Sequence, residues 1–189
     1  KGKKKEQKDV NISLDLKQDV FLEDSLSIDD KNFLHNHDYV LGSFHNLKKG
    51  KQKQYFVKKK GNEGAPHTFY VDLIYKEIKK YTNDVNKYVA ENADIIFINW
   101  RGEEVAIEVE TGMKAKYKST KDYHDEKFEA RRKQFGDKCY IFLIQSKIKN
   151  SYLRHNLPIL YRSKIKKLVL SEFDNYGKST SGGKSDSTK

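Results

Sequence analysis

The chain has 189 residues, of which 36% are hydrophobic and 34% are charged. That length suits one domain with a single core, and no apolar run approaches the ~20 residues of a membrane-spanning helix, so we expect no membrane association. Lys and Arg number 38 against 27 Asp and Glu, which gives a formal charge of +11. Such a charge favours polyanionic partners, nucleic acid above all. A lysine-rich chain without a polyanionic partner is the alternative.

The cysteine and histidine content limits the disulfides and zinc sites that the chain can form. Cys139 is the single cysteine, which excludes an internal disulfide and any zinc site built from several cysteines. A chain with one cysteine and no internal disulfide fits a reducing compartment, so we expect a cytoplasmic protein. His35, His37 and His45 fall in one stretch, but their spacing matches no zinc finger. The first residue is Lys, so we expect the chain to be a piece of a longer protein.

Residues 1–61 are predicted to form an N-terminal extension with a basic β-hairpin. After a basic start and an irregular stretch over 10–30, two β-rich runs at 39–44 and 54–57 flank a glycine-containing turn. The lysines at this turn are candidate contacts to a DNA backbone, and lysines that protect a solvated sheet edge are the alternative. These candidates are Lys49, Lys51 and Lys53.

Residues 62–174 are predicted to form the core domain, and the Gly- and Ser-rich residues 175–189 a disordered tail. The first helix follows from Tyr70, Ile74 and Ile78, which share one helical face. The expected elements are a helix over 68–81, strands over 85–89, 93–99 and 105–110, a charged helix over 124–135, a strand over 138–145, a helix over 151–161 and an edge strand over 166–170.

The order of these elements predicts an α/β fold with a mixed β-sheet flanked by helices. The first three strands of the core are close enough in sequence to be joined by hairpins. The strand after the charged helix needs a crossover connection, so it pairs in parallel with its neighbour.

Three acidic residues on two neighbouring predicted strands carry the strongest chemical signal. Asp94 begins one strand, and Glu108 and Glu110 end the next on a shared face, because strand side chains alternate. Crowded carboxylates raise one another's pKa unless a cation neutralises them. Mg²⁺ or Mn²⁺ suits these oxygens, and the carbonyl of Val109 could add another. The alternative is that these acids are exposed strand-end residues or partners of lysines.

The segment DIIFINWRGEEVAIEVETG, residues 94–112, resembles the core of the PD-(D/E)XK nuclease superfamily. The likeness spans about residues 63–145. It implies a restriction-endonuclease-like fold of order αβββαβ and a Mg²⁺-dependent DNA endonuclease that leaves a 5′-phosphate and a 3′-hydroxyl. Asp94 occupies the motif's aspartate, Glu108 its second acid and Val109 the intervening hydrophobe.

One motif position departs from the superfamily, which usually carries lysine where this chain has Glu110. The resemblance implies that Glu110 is a metal ligand or a water-orienting base. It also implies that a lysine from the following helix, Lys127, could take the role of the motif lysine. Lys114 and Lys116 are further candidates and lie nearer to Glu110 in the sequence. The departure equally admits a catalytically inactive module that binds DNA.

Further candidate phosphate contacts surround this motif. Lys114 and Lys116 precede the charged helix and Arg131 and Arg132 lie on it, although helical ion pairs with neighbouring acids are the alternative. His67, just before the first core helix, could reach the site or a phosphate.

The resemblance also implies partners. The stretches GAPH and AIEVETG resemble archaeal and plasmid-borne members that accompany DNA-translocating ATPases, with roles in DNA replication, transfer or recombination. A homodimer is the assembly that the superfamily implies. A basic adaptor that docks an acidic protein is the remaining alternative.

Overall fold

The computed structural model describes residues 12, 14–48, 50–88, 93–112 and 121–174. The chain divides into two compact units, the first comprising Lys1–His45 and Lys51–Phe69 and the second Asn46–Gly50 and Tyr70–Lys189. The boundary expected between residues 61 and 62 stays a prediction. The tail at 175–189 lies outside the described residues.

The described part of the first unit contains an antiparallel three-stranded sheet and a short helix. Its strands are β1 (Val20–Leu22), β2 (Tyr39–Phe44) and β3 (Lys53–Lys58), in the order β1-β3-β2, and its helix is α1 (Ile28–His35). The Ser27 side chain caps α1 by accepting a hydrogen bond from the Asp30 N–H. Three consecutive residues of β3 are buried, so both faces of this central strand are covered.

The second unit is built on a mixed five-stranded sheet of order β4-β5-β6-β7-β8. The first three strands pair antiparallel, and β7 pairs in parallel with both β6 and β8. An α/β architecture with a mixed sheet is therefore confirmed. The strands are β4 (Val85–Lys87), β5 (Ile95–Ile98), β6 (Glu104–Glu110), β7 (Cys139–Leu143) and β8 (Ile159–Leu160).

Three longer helices complete the fold: α2 (Ala65–Ile78), α3 (Lys121–Phe135) and α4 (Arg162–Phe173). Helix α2 begins three residues earlier than expected, because Pro66 is tolerated in a first helical turn, where its missing N–H leaves no bond unmade. Along the described segments, every helix falls short of the length and apolar character that crossing a membrane requires.

The predictions of a helix and an edge strand after β7 are both wrong. Residues 151–161 do not form a helix: short 3₁₀ turns run to His155, Asn156 has a left-handed backbone, and β8 follows Pro158. Residues 166–170 are not a strand but lie within α4. Ile165, Leu168 and Val169 are buried at a helical spacing that an alternating strand pattern would not give.

One core cluster of the second unit lies between β6, β7 and α3. Its buried members include Ala106 of β6, Cys139 and Ile141 of β7, and Phe128 of α3. Ala106 lies on the same face of β6 as Glu108 and Glu110, since these positions differ by two. The two glutamates therefore point from the sheet towards α3 and enter a largely apolar interior.

Candidate active site

The antiparallel pairing of β5 with β6 brings Asp94 to the carboxyl end of β6. Ile95 pairs with Ile107, so Asp94, one residue earlier, stands opposite Glu108. Asp94 Oδ2 accepts a 2.7 Å hydrogen bond from the backbone N–H of Val109. Glu108 and Glu110 project on one face of the same strand. The three acids singled out in the sequence are thus brought together.

A lysine of α3 lies between the two glutamates. Lys127 Nζ is 2.7 Å from Glu108 Oε2 and 3.3 Å from Glu110 Oε1. One helical turn further, Arg131 Nε donates a 2.8 Å hydrogen bond to Glu108 Oε1. Both carboxylate oxygens of Glu108, a residue only 1% exposed, are therefore paired with cations.

Glu110 has a different set of partners at its second oxygen. Tyr152 donates a hydrogen bond from its hydroxyl to Oε2 at 2.8 Å, and His124 Nε2 lies 3.5 Å from the same atom. The longer distance exceeds that of a well-formed hydrogen bond. Glu110 is thus anchored by one residue after β7 and approached by a second from α3.

The environment moves the pKa values of these groups in different directions. Burial raises the pKa of Glu108, with Lys127 opposing that shift and Asp94 adding to it. Burial also acts to raise the pKa of Glu110, but His124, Lys127 and Tyr152 outweigh it and lower the pKa to about 2. Burial acts to lower the pKa of Lys127, but the carboxylates outweigh it and raise that pKa. Glu110 and Lys127 are therefore both charged at neutral pH.

The donor set fits a hard divalent cation. Three carboxyl groups are grouped with two cationic side chains, Lys127 and Arg131, so the acidic groups outnumber the cations. The Lys127 ammonium already lies between Glu108 and Glu110 as a cation would. Oxygen ligands of this type are those that Mg²⁺ and Mn²⁺ take, and such an ion would compete with the ammonium for the carboxylates.

The expected phosphate contacts are spread over both units. In the first unit Lys51 and Lys53 are exposed, whereas His67 is 6% exposed with Nδ1 3.2 Å from Glu63. In the second unit Arg132 is exposed. Lys49, Lys114 and Lys116 lie outside the described residues.

Arg131 differs from the expectation of a surface contact. Its side chain is 11% exposed and its guanidinium is bonded to Glu108, so it holds that carboxylate in place. A helical ion pair of the kind weighed as an alternative occurs on the same helix, where Lys133 lies 2.9 Å from Glu129.

Sequence reasoning missed Tyr152 and His124 as neighbours of Glu110. Tyr152 is 42 residues from Glu110 along the chain, and no spacing rule joins them. His124 stands on α3 one turn before Phe128, where a buried imidazole is the ordinary expectation for an interior helix face. The sequence predicted only a charged helix over 124–135, and that prediction does not reveal which residues its side chains contact.

Comparisons with known proteins give limited similarity. No protein-family model matches the sequence, and no curated protein matches it. Among solved structures, the apo form of EndoMS superimposes with a TM-score of 0.30 at 10% identity over 65% of this chain and 64% of that one. A repair endonuclease from Pyrococcus abyssi gives 0.31 at 11% identity over 66% and 62%.

An EndoMS complex with double-stranded DNA gives a TM-score of 0.31 at 11% identity over 65% of this chain and 64% of that one. The chain thus spans less than two thirds of the length of each of these structures. At this level of similarity, neither a family nor a function transfers to the chain.

Proposed function

We propose that this protein is a metal-dependent DNA endonuclease that hydrolyses phosphodiester bonds, in line with the resemblance to the PD-(D/E)XK superfamily. The convergence of the Glu108 and Glu110 carboxylates on Lys127, with Asp94 at the same end of β6, carries the proposal. The formal charge of +11 supports a polyanionic substrate. Crowded carboxylates without such a role would be costly to bury.

In this function Asp94 and Glu108 hold Mg²⁺ or Mn²⁺, together with Glu110 and the Val109 carbonyl. The Val109 N–H donates to Asp94, and the N–H and C=O of one strand residue face the same neighbouring strand. The Val109 carbonyl is therefore directed to the Asp94 side. The bound ion supplies a water of lowered pKa and neutralises charge on the phosphate.

The protonation states divide the remaining roles between Glu110 and Lys127. A carboxylate whose pKa is about 2 is a weak base, so Glu110 serves better as a ligand than as a proton acceptor. Lys127, with its raised pKa, stays protonated. A protonated ammonium donates to a phosphate oxygen and stabilises the charge that develops there. Lys127 thus takes the part of the missing motif lysine.

A second function is a DNA-binding module without turnover, and one observation favours it. Lys127 and Arg131 together engage both oxygens of Glu108, so the carboxylate is neutralised without a metal ion. Such a module would belong to a larger DNA-processing protein or complex. A DNA-translocating ATPase as partner, a homodimer, and a role in replication, transfer or recombination follow from the resemblance alone.

Cleavage of supercoiled plasmid with Mg²⁺ or Mn²⁺ tests the proposal. We expect nicking by the wild type and a loss of at least about 100-fold in Asp94→Asn, the size expected when a metal ligand is removed. Glu104→Gln is the matched control, because Glu104 is an exposed acid at the opposite end of β6, and it should cut like the wild type. Religation of the nicks by a DNA ligase would report 5′-phosphate and 3′-hydroxyl ends.

Binding of labelled DNA separates the remaining outcomes. An uncut plasmid under both metals, combined with binding that weakens steeply as salt rises, would reject the nuclease and support the binding module. Absence of binding at low salt would reject both nucleic-acid functions and leave the basic adaptor.

A further inference from the structure

A second cluster of potential metal ligands lies on the far side of Glu110. It consists of His124 and Asp125, consecutive on α3, and His155, which ends the short 3₁₀ turn Leu153–His155. Each residue offers one ligand atom, and these atoms lie within 4.8 Å of one another. The cluster contains none of the residues that the proposed nuclease uses.

The two imidazoles are buried without adequate polar partners. His124 is 1% and His155 is 8% exposed. Among the described residues, both ring nitrogens of His124 and Nε2 of His155 have no hydrogen bond of acceptable geometry. Buried polar atoms are nearly always paired, so this group of nitrogens, in which His124 Nε2 has only Glu110 Oε2 nearby at 3.5 Å, requires an explanation. A metal ion that accepts one lone pair from each imidazole would satisfy one nitrogen of each ring.

We propose that His124, Asp125 and His155 bind a divalent transition metal ion, with Zn²⁺ as the preferred ion. Two imidazole nitrogens and one carboxylate oxygen form a zinc ligand set, whereas Mg²⁺ prefers oxygen ligands alone. The site therefore differs in chemistry from the all-oxygen set at Asp94, Glu108 and Glu110. The two sites are predicted to select different ions.

The surroundings supply access and a fourth coordination position. Asp125 is half-exposed, with its side chain at 39%, and a pocket of about 280 Å³ opens beside it and His155. Water can reach the ion from that pocket. Atoms that bind one zinc ion at 2.0–2.1 Å lie about 3.3 Å from each other. Modest rotation of the Asp125 side chain and the two imidazoles would bring the ligand atoms, now within 4.8 Å of one another, to that distance.

Neighbouring groups orient the proposed ligands. Arg154 Nε donates a 2.7 Å hydrogen bond to Asp125 Oδ1, which lies 3.7 Å from His155 Nε2. Phe128 packs against both imidazoles, with ring centroids 4.8 Å from His124 and 4.5 Å from His155. An apolar ring of this kind limits solvent around the nitrogens, which is the setting of many metal-bound histidines.

The site joins α3 to the segment that carries Tyr152. Tyr152, three residues before His155, donates to Glu110, while Glu110 Oε2 lies 3.5 Å from His124 Nε2. A metal-bound histidine usually donates its other N–H to a carboxylate, and Glu110 is in place to accept it when Nδ1 is the ligand atom. The ion would therefore stabilise the position of Glu110 without binding it.

Titration of metal-free protein with Co²⁺, followed by visible d–d absorption, tests the site. We expect one equivalent to bind, Zn²⁺ to displace it, and excess Mg²⁺ to leave the spectrum unchanged. His155→Gln should abolish the absorption, and Asp125→Asn should weaken Co²⁺ binding by about 10- to 100-fold. Displacement by Mg²⁺, or an unchanged affinity in either variant, would overturn the proposal.

Two controls exclude other sources of the signal. A variant with His35, His37 and His45 all changed to Gln removes the other histidine-rich stretch and should bind Co²⁺ like the wild type; loss of binding there would assign the ion to that stretch instead. Asp94→Asn should keep the Co²⁺ spectrum even where it loses DNA cleavage, which separates this site from the proposed nuclease. Asp125→Asn, at a half-exposed position, tests the site if His155→Gln does not fold.

Discussion

The hydroxyl of Tyr152 donates a 2.8 Å hydrogen bond to Oε2 of Glu110, which ends strand β6. Tyr152 is fully buried and Glu110 is 6% exposed. Burial and the glutamate charge raise the pKa of Tyr152, so the hydroxyl keeps its proton and remains a donor. The bond fixes one end of the carboxylate cluster to a segment that follows β7.

Replacing Tyr152 with Phe removes this hydrogen bond and keeps the ring. We expect the free energy of unfolding to fall by about 1.5–3 kcal/mol, the usual value for a hydrogen bond to a charged group. Urea denaturation at neutral pH measures the change. Tyr123→Phe is the control, since Tyr123 is 66% exposed, and it should change stability by less than about 0.5 kcal/mol. Equal effects of the two variants would contradict the structure.

Replacing Lys127 with Met leaves Glu108 and Glu110 without their shared cation. We expect a loss of about 3 kcal/mol at neutral pH, because removing one partner of a buried ion pair strands the other charge. Lys133→Met on the same helix should cost less than about 1 kcal/mol, since its pair with Glu129 is exposed.

Mg²⁺ gives the Lys127→Met variant a second readout. Without the competing ammonium, the carboxylates should bind the ion more tightly, so Mg²⁺ should raise the melting temperature of the variant more than that of the wild type. A melting temperature that does not respond to Mg²⁺ in either protein would count against metal binding at these carboxylates.

The lowered pKa of Glu110 predicts that the protein loses stability in acid. Its folded-state pKa of about 2 lies below the ordinary 4.5, so its contribution is present above about pH 5 and disappears as the pH falls towards 2. The contribution is on the order of 3 kcal/mol. Glu110→Gln should flatten this part of the profile in metal-free urea denaturation, whereas the exposed Glu104→Gln should leave it unchanged. A steep acid loss that persists in Glu110→Gln would assign it to other groups.

Cys139 provides a probe of unfolding. The thiol is fully buried, and burial raises its pKa to about 12, so almost no thiolate forms at neutral pH. A disulfide reagent such as Ellman's should react with native protein at least about 100-fold more slowly than with protein in guanidinium chloride. Because the chain has one cysteine, the native rate reports opening of the core around β7. Rapid reaction in the native state would contradict this burial.

Periodic and compositional signals predicted most elements of the second unit. The expected strand at 105–110 corresponds to β6 and the helix at 124–135 to α3, with end shifts of one to three residues. The predictions for the region after β7 are wrong for two reasons. Short 3₁₀ turns show no hydrophobic periodicity, and a short apolar run such as 166–170 fits either a strand or a helix. Burial of Leu168 and Val169 on one face of α4 decided that ambiguity.

The sequence by itself determined the acids at 94, 108 and 110, their order along two strands and the shared face of the two glutamates, because strand alternation is a local property. Apart from Lys127, which the resemblance named as a candidate, only the tertiary structure decided which residues meet them. Lys127 and Arg131 reach Glu108 through the packing of α3 on β6, and Tyr152 reaches Glu110 across 42 residues. Such contacts depend on how whole elements pack, and no spacing within the chain encodes them.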